Sequence, residues 1–355
     1  MAVKYKIGIW GQFGDGGPIA DGQAVRTTII TNELIARYGK QNLYIVNTNG
    51  WKRKPFRFLY CTIKLLRQCQ KVVIFPADNG FKIVVPLLSF FNKFHNRELY
   101  DVVIGGYLPD LLRYKPHYLK MLKKYDALFV QTLNLKKDLE DIGLNNIFIL
   151  SNLKRLNTLQ LCDIKINNDP YIRVCTMSRI NDSKGIKDAF TAVKLANEVL
   201  GSVYIHLDVF GMVAPEYKEQ FKRLLSDNSD FASYGGVIKY DKTVETLKDY
   251  FVMLFPTYYY GEGFPGNVVD AYNSGLPMIA TDWKYNKEVI KDERNGILVK
   301  PHSTKQLSDA LLMLYRNREF AYKIATNNIE DSNYYKPNIV LKEFYELIEK
   351  KYHSI

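Results

Sequence analysis

Two carboxylates stand eight residues apart in a glycine-rich stretch of the second half of the chain. Glu262 is flanked by Gly261 and Gly263, and Asp270 lies one to two turns inside the helix predicted to begin near Gly266. Paired carboxylates can hold the hydroxyls of a sugar, and the free amides at a helix start can bind phosphate oxygens. The spacing predicts that both carboxylates face one cleft, in a site for a ligand with sugar and phosphate groups.

Two basic residues follow another predicted strand. Arg179 and Lys184 stand five residues apart in the turn between the strand at 171–177 and the next helix. Side chains in such a turn can neutralise a diphosphate. A solvated rim at the strand end remains the alternative interpretation.

A third candidate is the glycine-rich turn after the first predicted strand, with Gly14, Gly16 and Gly17. Backbone amides in such a turn can approach a phosphate closely. The dinucleotide-binding fingerprint fails, because its third glycine position is Ile19 and no acid follows the second strand. An anion-binding loop and a merely flexible turn both remain open.

The sequence contains no evident metal site or disulfide framework. No two aspartates form a D-x-D pair, and the five histidines do not cluster with cysteines at ligand spacing. The four cysteines, Cys61, Cys69, Cys162 and Cys175, form no CxxC pair, which is typical of reduced thiols in a cytosolic protein. We therefore expect no metal and no cofactor.

The candidate residues must be positioned by the strands and helices around them. Short apolar runs along the chain alternate with segments whose apolar residues have the spacing of a helix. Such alternation predicts parallel sheets covered by helices on both faces. The predicted strands are 6–10, 43–46, 72–75, 102–104, 127–130, 147–150, 171–177, 204–210, 232–238, 252–255, 278–281 and 297–299. The predicted helices of the first half are 23–38, 56–69, 80–93, 109–124 and 133–142.

The alternation is interrupted once, which predicts two doubly wound Rossmann-like α/β domains. We expect a first domain at 1–152, a polar linker at 153–169 and a second domain at 170–335. Residues 336–355 have the apolar spacing of one long helix, which is expected to pack back on the first domain.

The net charge of +12 lies almost entirely in the first half. Residues 1–150 contain 22 Lys and Arg against 11 Asp and Glu, and the densest stretch, 51–71, contains no acid. This stretch includes Lys52, Arg53, Lys54 and Arg57, mixed with aromatic and aliphatic residues. Such a mixture suits an anionic membrane surface, and a crossover helix with a solvated basic face is the alternative.

Composition and length exclude several classes of protein. With 355 residues, 47% hydrophobic and 24% charged, the chain is neither disordered nor fibrous, and it is too long for one small binding module. No signal peptide is evident, and the longest apolar run, 83–91, is too short to span a membrane. Nucleic-acid binding fits the charge but has no motif to support it.

Taken together, the motifs resemble those of family 4 retaining glycosyltransferases, which have the GT-B fold of two Rossmann-like domains facing a central cleft. Glu262 and Asp270, with the GFPG and SGLP runs behind them, resemble the E-x7-E signature of that family. Further similarities, in chain order from about residue 6 to 315, are the 14–17 loop, the 104–110 segment, the 178–185 turn, the 209–211 strand end and the 295–299 element. The 104–110 segment is similar to one in members that build bacterial surface polysaccharides.

The resemblance implies a role for each matching residue. Arg179 and Lys184 would bind the donor diphosphate, Glu262 would contact the donor sugar, and Asp270 would hold the ribose. The backbone of 264–267 would line the sugar and phosphate pocket, through Phe264, Pro265, Gly266 and Asn267. Gly211 and Tyr234 would lie near the nucleobase, and Gly14, Gly16 and Gly17 would close over the phosphates.

Two positions depart from the family pattern. The second acid is Asp270 where the family usually has Glu, so its side chain is one methylene shorter. The family also commonly has a histidine after the third strand, where this chain has Pro76, Ala77, Asp78 and Asn79. Asp78 or Asn79 could take over its sugar contact. His95 and His117 lie elsewhere and are expected to be surface or packing residues.

The resemblance implies a metal-independent, retaining hexosyltransferase of bacterial surface polysaccharide synthesis, acting in O-antigen, capsule or exopolysaccharide assembly. The donor would be a nucleotide-diphosphate sugar, a UDP-sugar first of all, and the acceptor a lipid-linked sugar or a glycan. The protein would be cytoplasmic and peripheral on the inner face of the plasma membrane. The alternatives are a nucleotide-sugar epimerase of the same architecture and a non-catalytic nucleotide-sugar or membrane-binding protein. The donor sugar, the linkage and the oligomeric state are not predicted.

Overall fold

The computed structural model describes residues 4–13 and 22–349, and the chain divides into two compact units. The first unit contains residues 1–153 together with 337–355, and the second contains residues 154–336. Each unit is built on a parallel sheet of six strands with helices around it, so the predicted pair of doubly wound α/β domains is confirmed.

The sheet of the first unit has the strand order β2-β1-β3-β4-β5-β6. Its strands are β1 (Tyr5–Gly11), β2 (Leu43–Asn47), β3 (Cys69–Phe75), β4 (Glu98–Val102), β5 (Ala127–Val130) and β6 (Ile147–Ile149). Its connecting helices are α1 (Gly22–Tyr38), α2 (Pro55–Gln68), α3 (Asp78–Phe91), α4 (Leu108–Tyr114), α5 (His117–Leu122) and α6 (Leu133–Glu140).

The sheet of the second unit has the order β9-β8-β7-β10-β11-β12. Its strands are β7 (Ile172–Met177), β8 (Ile205–Phe210), β9 (Ala232–Gly236), β10 (Val252–Phe255), β11 (Met278–Thr281) and β12 (Ile297–Val299). Its helices are α7 (Ile186–Leu200), α8 (Lys218–Asp227), α9 (Thr243–Leu247), α10 (Gly266–Asn273), α11 (Asn286–Val289), α12 (Thr304–Arg316) and α13 (Arg318–Ser332).

The continuous apolar strands of the second unit are explained by burial on both faces. Alternate residues of a strand point to opposite faces of the sheet. In β10, Val252 and Leu254 join the cluster beneath α7 and α12, whereas Met253 and Phe255 join the cluster beneath α10. All four are almost fully buried. A strand that is covered on both faces therefore has apolar residues at every position.

The strand order of the second unit also predicts where a ligand binds. In open α/β sheets, ligands lie outside the carboxyl ends of the strands, where the strand order reverses. The reversal falls between β7 and β10, which pair in parallel through Val174 and Val252. The loops that follow these two strands contain Lys184 and Glu262. The topology thus places the sequence motifs at the expected binding edge.

Three predicted elements were wrong in detail. Strand β4 spans Glu98–Val102 and not 102–104, because its polar residues Glu98 and Asp101 hide it from a search for apolar runs. The predicted helix 109–124 is divided into α4 and α5 at Lys115–Pro116, since the residue before a proline is disfavoured in a helix. The predicted strand 232–238 ends at Gly236.

The end of the chain forms two short helices and not one long one, α14 (Pro337–Val340) and α15 (Lys342–Glu349), which contact the first unit. Phe344 is fully buried with its ring 4.8 Å from that of Phe129. Arg37 Nε lies 2.8 Å from Glu349 Oε1. No helix within 4–13 or 22–349 is both long and apolar enough to cross a bilayer.

The predicted linker, 153–169, has no strand and only a short 3₁₀ turn at Leu161–Asp163. All of it beyond Leu153 groups with the second unit. The amide of Leu159 donates to the carbonyl of Asn273 at 2.9 Å, and the Thr158 hydroxyl donates to the Asn273 side chain at 2.6 Å. The segment therefore lies against the end of α10.

Candidate active site

The centre of the candidate site is an ion pair between the loops that follow β7 and β10. Lys184 Nζ lies 2.6 Å from Glu262 Oε2, and the exposed fractions of the two side chains are 14% and 9%. The Lys184 ammonium also lies 4.6 Å from the centre of the Tyr259 ring. The structure therefore brings together the predicted phosphate ligand and the predicted sugar ligand as partners.

Two threonines hold the carboxylate of Glu262 in place. The Thr257 hydroxyl donates to Glu262 Oε2 at 2.9 Å, within the same loop. The Thr281 hydroxyl, at the carboxyl end of β11, donates to the carbonyl of Thr257. Both threonines are almost fully buried, so the position of Glu262 is fixed from the neighbouring strand.

A tryptophan of the next loop fixes the turn that precedes Glu262. Trp283 Nε1 donates to the carbonyl of Tyr259 at 2.8 Å, and the amide of Glu262 donates to the same carbonyl at 3.1 Å. The adjacent Lys284 ammonium lies 4.5 Å from the centre of the Tyr260 ring. The loop after β11 thus supports the loop after β10.

A glycine permits the loops after β7 and β10 to touch. Gly185 has a φ of +67°, and a Cβ atom at this position would lie 2.0 Å from the carbonyl oxygen of Pro256. The amide of Tyr258 donates to the carbonyl of Ser183 at 2.9 Å across the same contact. Only glycine fits this contact, which is what brings Lys184 within reach of Glu262.

The predicted nucleobase residues also meet at this edge. Gly211 follows β8, and a Cβ atom there would lie 1.7 Å from the carbonyl oxygen of Ser178. The Tyr234 hydroxyl donates to the carbonyl of Gly211 at 2.8 Å, and Tyr234 is 41% exposed. An exposed aromatic side chain can provide a stacking surface for a base.

The start of α10 faces the same region. Helix α10 begins at Gly266, and its N-cap residue, Pro265, makes no side-chain capping bond. Asn267 Nδ2 donates to the carbonyl of Met177 at 2.9 Å, which ties the helix start to the end of β7. Phe264 is buried against Tyr335 at 5.1 Å. The positive end of the helix dipole therefore lies beside the Lys184 and Glu262 loops.

Asp270 lies in a different environment from Glu262. Its side chain is 1% exposed, Lys154 Nζ lies 2.5 Å from Oδ2, and the Thr243 hydroxyl donates to Oδ1 at 2.7 Å. Both carboxylate oxygens thus already have partners. Asp270 is covered by Lys154 from the segment after the first unit, whereas Glu262 is paired with Lys184.

Arg179 is the exposed member of the set. It follows β7 directly, and its neighbour Ser178 is held by a backbone bond to Phe210 at 3.1 Å. The exposed guanidinium is at the same strand edge as Lys184. An exposed guanidinium is suited to a ligand that arrives from solvent.

The predicted sugar ligand of the first unit lies on α3. Asp78 is the first residue of α3, and Lys82 Nζ lies 2.8 Å from its Oδ1. Its side chain is 48% exposed. The loop containing Gly14, Gly16 and Gly17 lies outside the described residues. His117 is exposed and its ring lies 4.3 Å from that of Tyr118, whereas His95 is half-buried.

The basic stretch divides into buried and exposed residues. Leu66 is fully buried, and the Trp51 ring packs on Phe58, which in turn packs on Trp10. Phe56 is 87% exposed and Tyr60 is 64% exposed on α2. The exposed basic residues beside them are Lys52, Arg53, Lys54 and Arg57. Hence only some of the apolar residues of this stretch are exposed and could contact a membrane.

Sequence reasoning missed four supporting residues: Thr257, Trp283, Thr243 and Lys154. Hydroxyls and an indole that bond to a neighbouring loop have no spacing signal, because their partners are distant in the chain. Within the described ranges, His, Cys, Asp and Glu side chains nowhere group in threes that could hold a metal ion. The thiols of Cys61, Cys69, Cys162 and Cys175 are free, and burial raises the pKa of Cys69 to about 12.

Sequence comparisons relate this chain to known glycosyltransferases. Residues 163–331, slightly less than half of the chain, match the family model of glycosyl transferases group 1. The chain is 22% identical over 321 residues to the N,N'-diacetylbacillosaminyl-diphospho-undecaprenol alpha-1,3-N-acetylgalactosaminyltransferase of Campylobacter jejuni, covering 88% of this chain and 75% of that one. It spans less than half the length of three other curated relatives.

Solved structures show the same fold. The sucrose-phosphate synthase of Thermosynechococcus elongatus has a TM-score of 0.77 at 13% identity, over 99% of this chain and 100% of that one. Anabaena HepE in complex with UDP-glucose has a TM-score of 0.73 at 12% identity, over 97% and 99% of the two chains. The fold is therefore that of the GT-B glycosyltransferases, as the sequence predicted.

Proposed function

We propose that this protein is a retaining, metal-independent glycosyltransferase that moves a hexose from a nucleotide-diphosphate sugar to an acceptor of bacterial surface polysaccharide synthesis. The observation that carries the proposal is the Lys184 and Glu262 pair, 2.6 Å apart at the strand edge where the sheet order reverses. A cation for the diphosphate and a carboxylate for the sugar hydroxyls stand side by side there. The start of α10 lies next to them.

In the proposed reaction, the bond between the anomeric carbon of the sugar and the diphosphate breaks, the acceptor oxygen forms a new bond to that carbon, and the leaving diphosphate gains negative charge. Lys184, Arg179 and the first amides of α10 would stabilise that charge, which is usually the largest electrostatic contribution to such a transfer. Glu262 would orient the sugar through its hydroxyls. The leaving phosphate would accept the proton of the acceptor hydroxyl, so no separate protein base is required.

The nature of the substrates is supported by the relatives. The Campylobacter jejuni relative acts, by its name, on a sugar attached to diphospho-undecaprenol. The related Anabaena structure contains UDP-glucose. We infer a UDP-sugar donor and a lipid-linked acceptor for this chain. Gly211 and Tyr234 are proposed to hold the uracil, and Asp78 is proposed to contact the sugar from the first unit.

We further propose that the first unit binds the acceptor while resting on the inner face of the plasma membrane. Exposed Phe56 and Tyr60 stand beside Lys52, Arg53 and Arg57 on and before α2. Exposed aromatics among cations fit an anionic lipid surface. The protein would then be cytoplasmic and peripheral, with its acceptor delivered by the lipid.

The test is a donor panel followed by one substitution. Hydrolysis and transfer of UDP-, GDP- and ADP-sugars are measured on wild type and on Glu262→Ala, with and without EDTA. We expect turnover of one donor class, a loss of at least 100-fold in Glu262→Ala, and no effect of EDTA. Glu98→Ala, in the first unit, is the control for loss of a partly buried glutamate that is paired with a lysine.

Other outcomes would identify the rivals. Release of an epimerised sugar without transfer would indicate an epimerase. Binding of a nucleotide sugar without turnover in any condition, including lipid-linked acceptors, would indicate a non-catalytic protein. Loss of all turnover in EDTA would contradict the metal-independent mechanism. Transfer with inversion at the anomeric carbon, read by NMR of the product, would contradict the retaining assignment.

A further inference from the structure

This inference rests on the proposed function. The ion pair between Lys184 and Glu262 must be broken when a nucleotide diphosphate binds Lys184. Each side chain is the other's partner at 2.6 Å, and both are largely buried. A diphosphate that takes the Lys184 ammonium must remove it from Glu262. Glu262 would then keep the Thr257 hydroxyl at 2.9 Å but lose its opposite charge. A buried carboxylate that loses its cation is strongly disfavoured.

The sugar of the donor can restore the hydrogen bond that Glu262 loses. A hydroxyl of the sugar can donate to Glu262 Oε2 in place of the Lys184 ammonium, so the carboxylate keeps two donors. A nucleoside diphosphate has the phosphates that attract Lys184 but has no sugar to satisfy Glu262. The sugar nucleotide therefore leaves Glu262 Oε2 with two hydrogen-bond donors, whereas the nucleoside diphosphate leaves it with one.

We propose that the Lys184 and Glu262 pair is an exchangeable latch that makes the site prefer the sugar-bearing donor to the nucleoside diphosphate product. In the free protein the pair occupies both ligand positions with protein groups. The donor replaces both halves of the pair, whereas the product replaces only the lysine half. Glu262 thereby acts in product release and donor selection, in addition to orienting the sugar.

Substitutions at Thr257 and at Glu262 are expected to change the affinity for the nucleoside diphosphate in opposite directions. Thr257 is buried and shares Glu262 Oε2 with Lys184. Loss of its hydroxyl leaves Glu262 more dependent on Lys184, so a diphosphate should find the lysine harder to remove. Loss of the Glu262 charge has the opposite result, because Lys184 then has no carboxylate to leave. The latch thus predicts opposite changes in product affinity from two substitutions at one contact.

The first unit offers a closely matched control. Lys71 Nζ lies 2.8 Å from Glu98 Oε2, the lysine is 1% exposed, and the Tyr100 hydroxyl donates to the same oxygen at 2.6 Å. This is again a buried lysine and a hydroxyl sharing one glutamate oxygen, outside the second unit. Glu98→Gln therefore removes the same charge from the same kind of pair without touching the candidate site.

The experiment is calorimetric titration of UDP, GDP and ADP, and of the matching sugar nucleotides, into wild type, Glu262→Gln, Thr257→Val and Glu98→Gln. For the nucleotide that wild type binds, we expect Glu262→Gln to bind the diphosphate at least ten-fold more tightly and the sugar nucleotide less tightly. Thr257→Val should bind the diphosphate several-fold more weakly. Glu98→Gln should bind both as wild type does. Thermal melts establish that each variant is folded.

The outcomes separate the latch from the proposed function. Unchanged or weaker diphosphate binding by folded Glu262→Gln would overturn the latch while leaving the transferase assignment intact. If Glu262→Gln does not fold, Thr257→Val decides, and unchanged or tighter diphosphate binding by it overturns the latch. Because Thr257→Val alters no charge, weaker diphosphate binding by this variant is not an effect of net charge. A wild type that binds none of the six ligands would overturn the proposed function itself.

Discussion

At the scale of single residues, the two acids of the motif have different tasks in this chain. Glu262 is held by the Lys184 ammonium and the Thr257 hydroxyl, whereas Asp270 is 1% exposed and is covered by Lys154 and Thr243. Asp270 is a buried residue of α10. Its measured contribution should therefore be to stability more than to ligand affinity.

Another buried acid, Asp101 of β4, allows a prediction of pH dependence. Its two oxygens are buried without a hydrogen-bond partner in the described part of the chain, and burial raises its pKa well above the usual value. A raised folded-state pKa means that stability is highest below about pH 4 and falls as the pH rises toward that pKa. At neutral pH the carboxyl group therefore destabilises the first unit.

We expect Asp101→Asn to be more stable than wild type, by on the order of 1–3 kcal/mol at pH 8, with the difference shrinking toward pH 4. Urea unfolding at several pH values measures this. Asp110→Asn, at a surface pair with Arg113, should show no such trend. A variant gain that is the same at pH 4 and pH 8 would argue against titration of Asp101.

At the scale of elements, the site depends on loops that touch where side chains would not fit. Gly185 and Gly201 both have positive φ values, but only Gly185 has a backbone oxygen in the way of a Cβ atom. We expect Gly185→Ala to lower the free energy of unfolding by on the order of 3 kcal/mol and to abolish turnover. Gly201→Ala, with open space around it, should cost about 1 kcal/mol and leave turnover intact.

Urea unfolding and the transfer assay measure both variants. Equal destabilisation by the two substitutions would mean that backbone strain, and not the contact with Pro256, decides the role of Gly185. Retained activity in Gly185→Ala would mean that the Lys184 and Glu262 pair does not need that contact.

The element that begins at Pro55 is the one expected to meet the membrane. We expect Lys52, Arg53 and Lys54 together changed to Glu to bind vesicles of phosphatidylglycerol and phosphatidylcholine at least ten-fold more weakly, because each basic residue near an anionic surface contributes about 1 kcal/mol. Vesicle co-sedimentation measures the binding. Charge reversal of Lys218, Lys222 and Arg223 on α8, equally exposed in the second unit, is the matched control.

Equal effects of both triple variants would indicate only a response to net charge. Wild-type binding that is the same on phosphatidylcholine alone would contradict a role for anionic lipid. Substitution of Phe56 by Ser separates the apolar contribution from the charge.

The sequence predicted most elements because strands that are buried on both faces, such as β10, are continuous runs of apolar residues. It placed β4 too late, at 102–104, because Glu98 pairs with Lys71 and so lies inside the sheet despite its charge. The spacing of Glu262, Arg179 and Lys184 predicted where they lie in the fold. It could not predict that Glu262 is already bonded to Lys184, nor that Lys154 covers Asp270, because both depend on contacts between distant loops.

At the scale of the whole molecule, the chain leaves the first unit after Leu153 and returns to it at Pro337. Phe344 is fully buried against Phe129, so the last helices belong to the core of the first unit. We expect Phe344→Ala to destabilise the first unit by about 3–5 kcal/mol while nucleotide affinity of the folded protein is unchanged. Ile339→Ala, at an exposed position of α14, should have little effect.

Denaturant unfolding and nucleotide titration measure the two properties. A loss of nucleotide affinity in folded Phe344→Ala would show that the units do not respond independently. Little loss of stability would show that α15 contributes little to the first unit despite its burial.

The returning helices also bear on how the protein is made. A ribosome releases the six strands of the first unit long before it reaches Phe344, so Phe129 waits without its partner while the whole second unit is synthesised. Domains usually fold in order as they emerge. Here the unit made first is completed last, and a nascent chain that stalls within the second unit leaves an unfinished apolar surface for chaperones to cover.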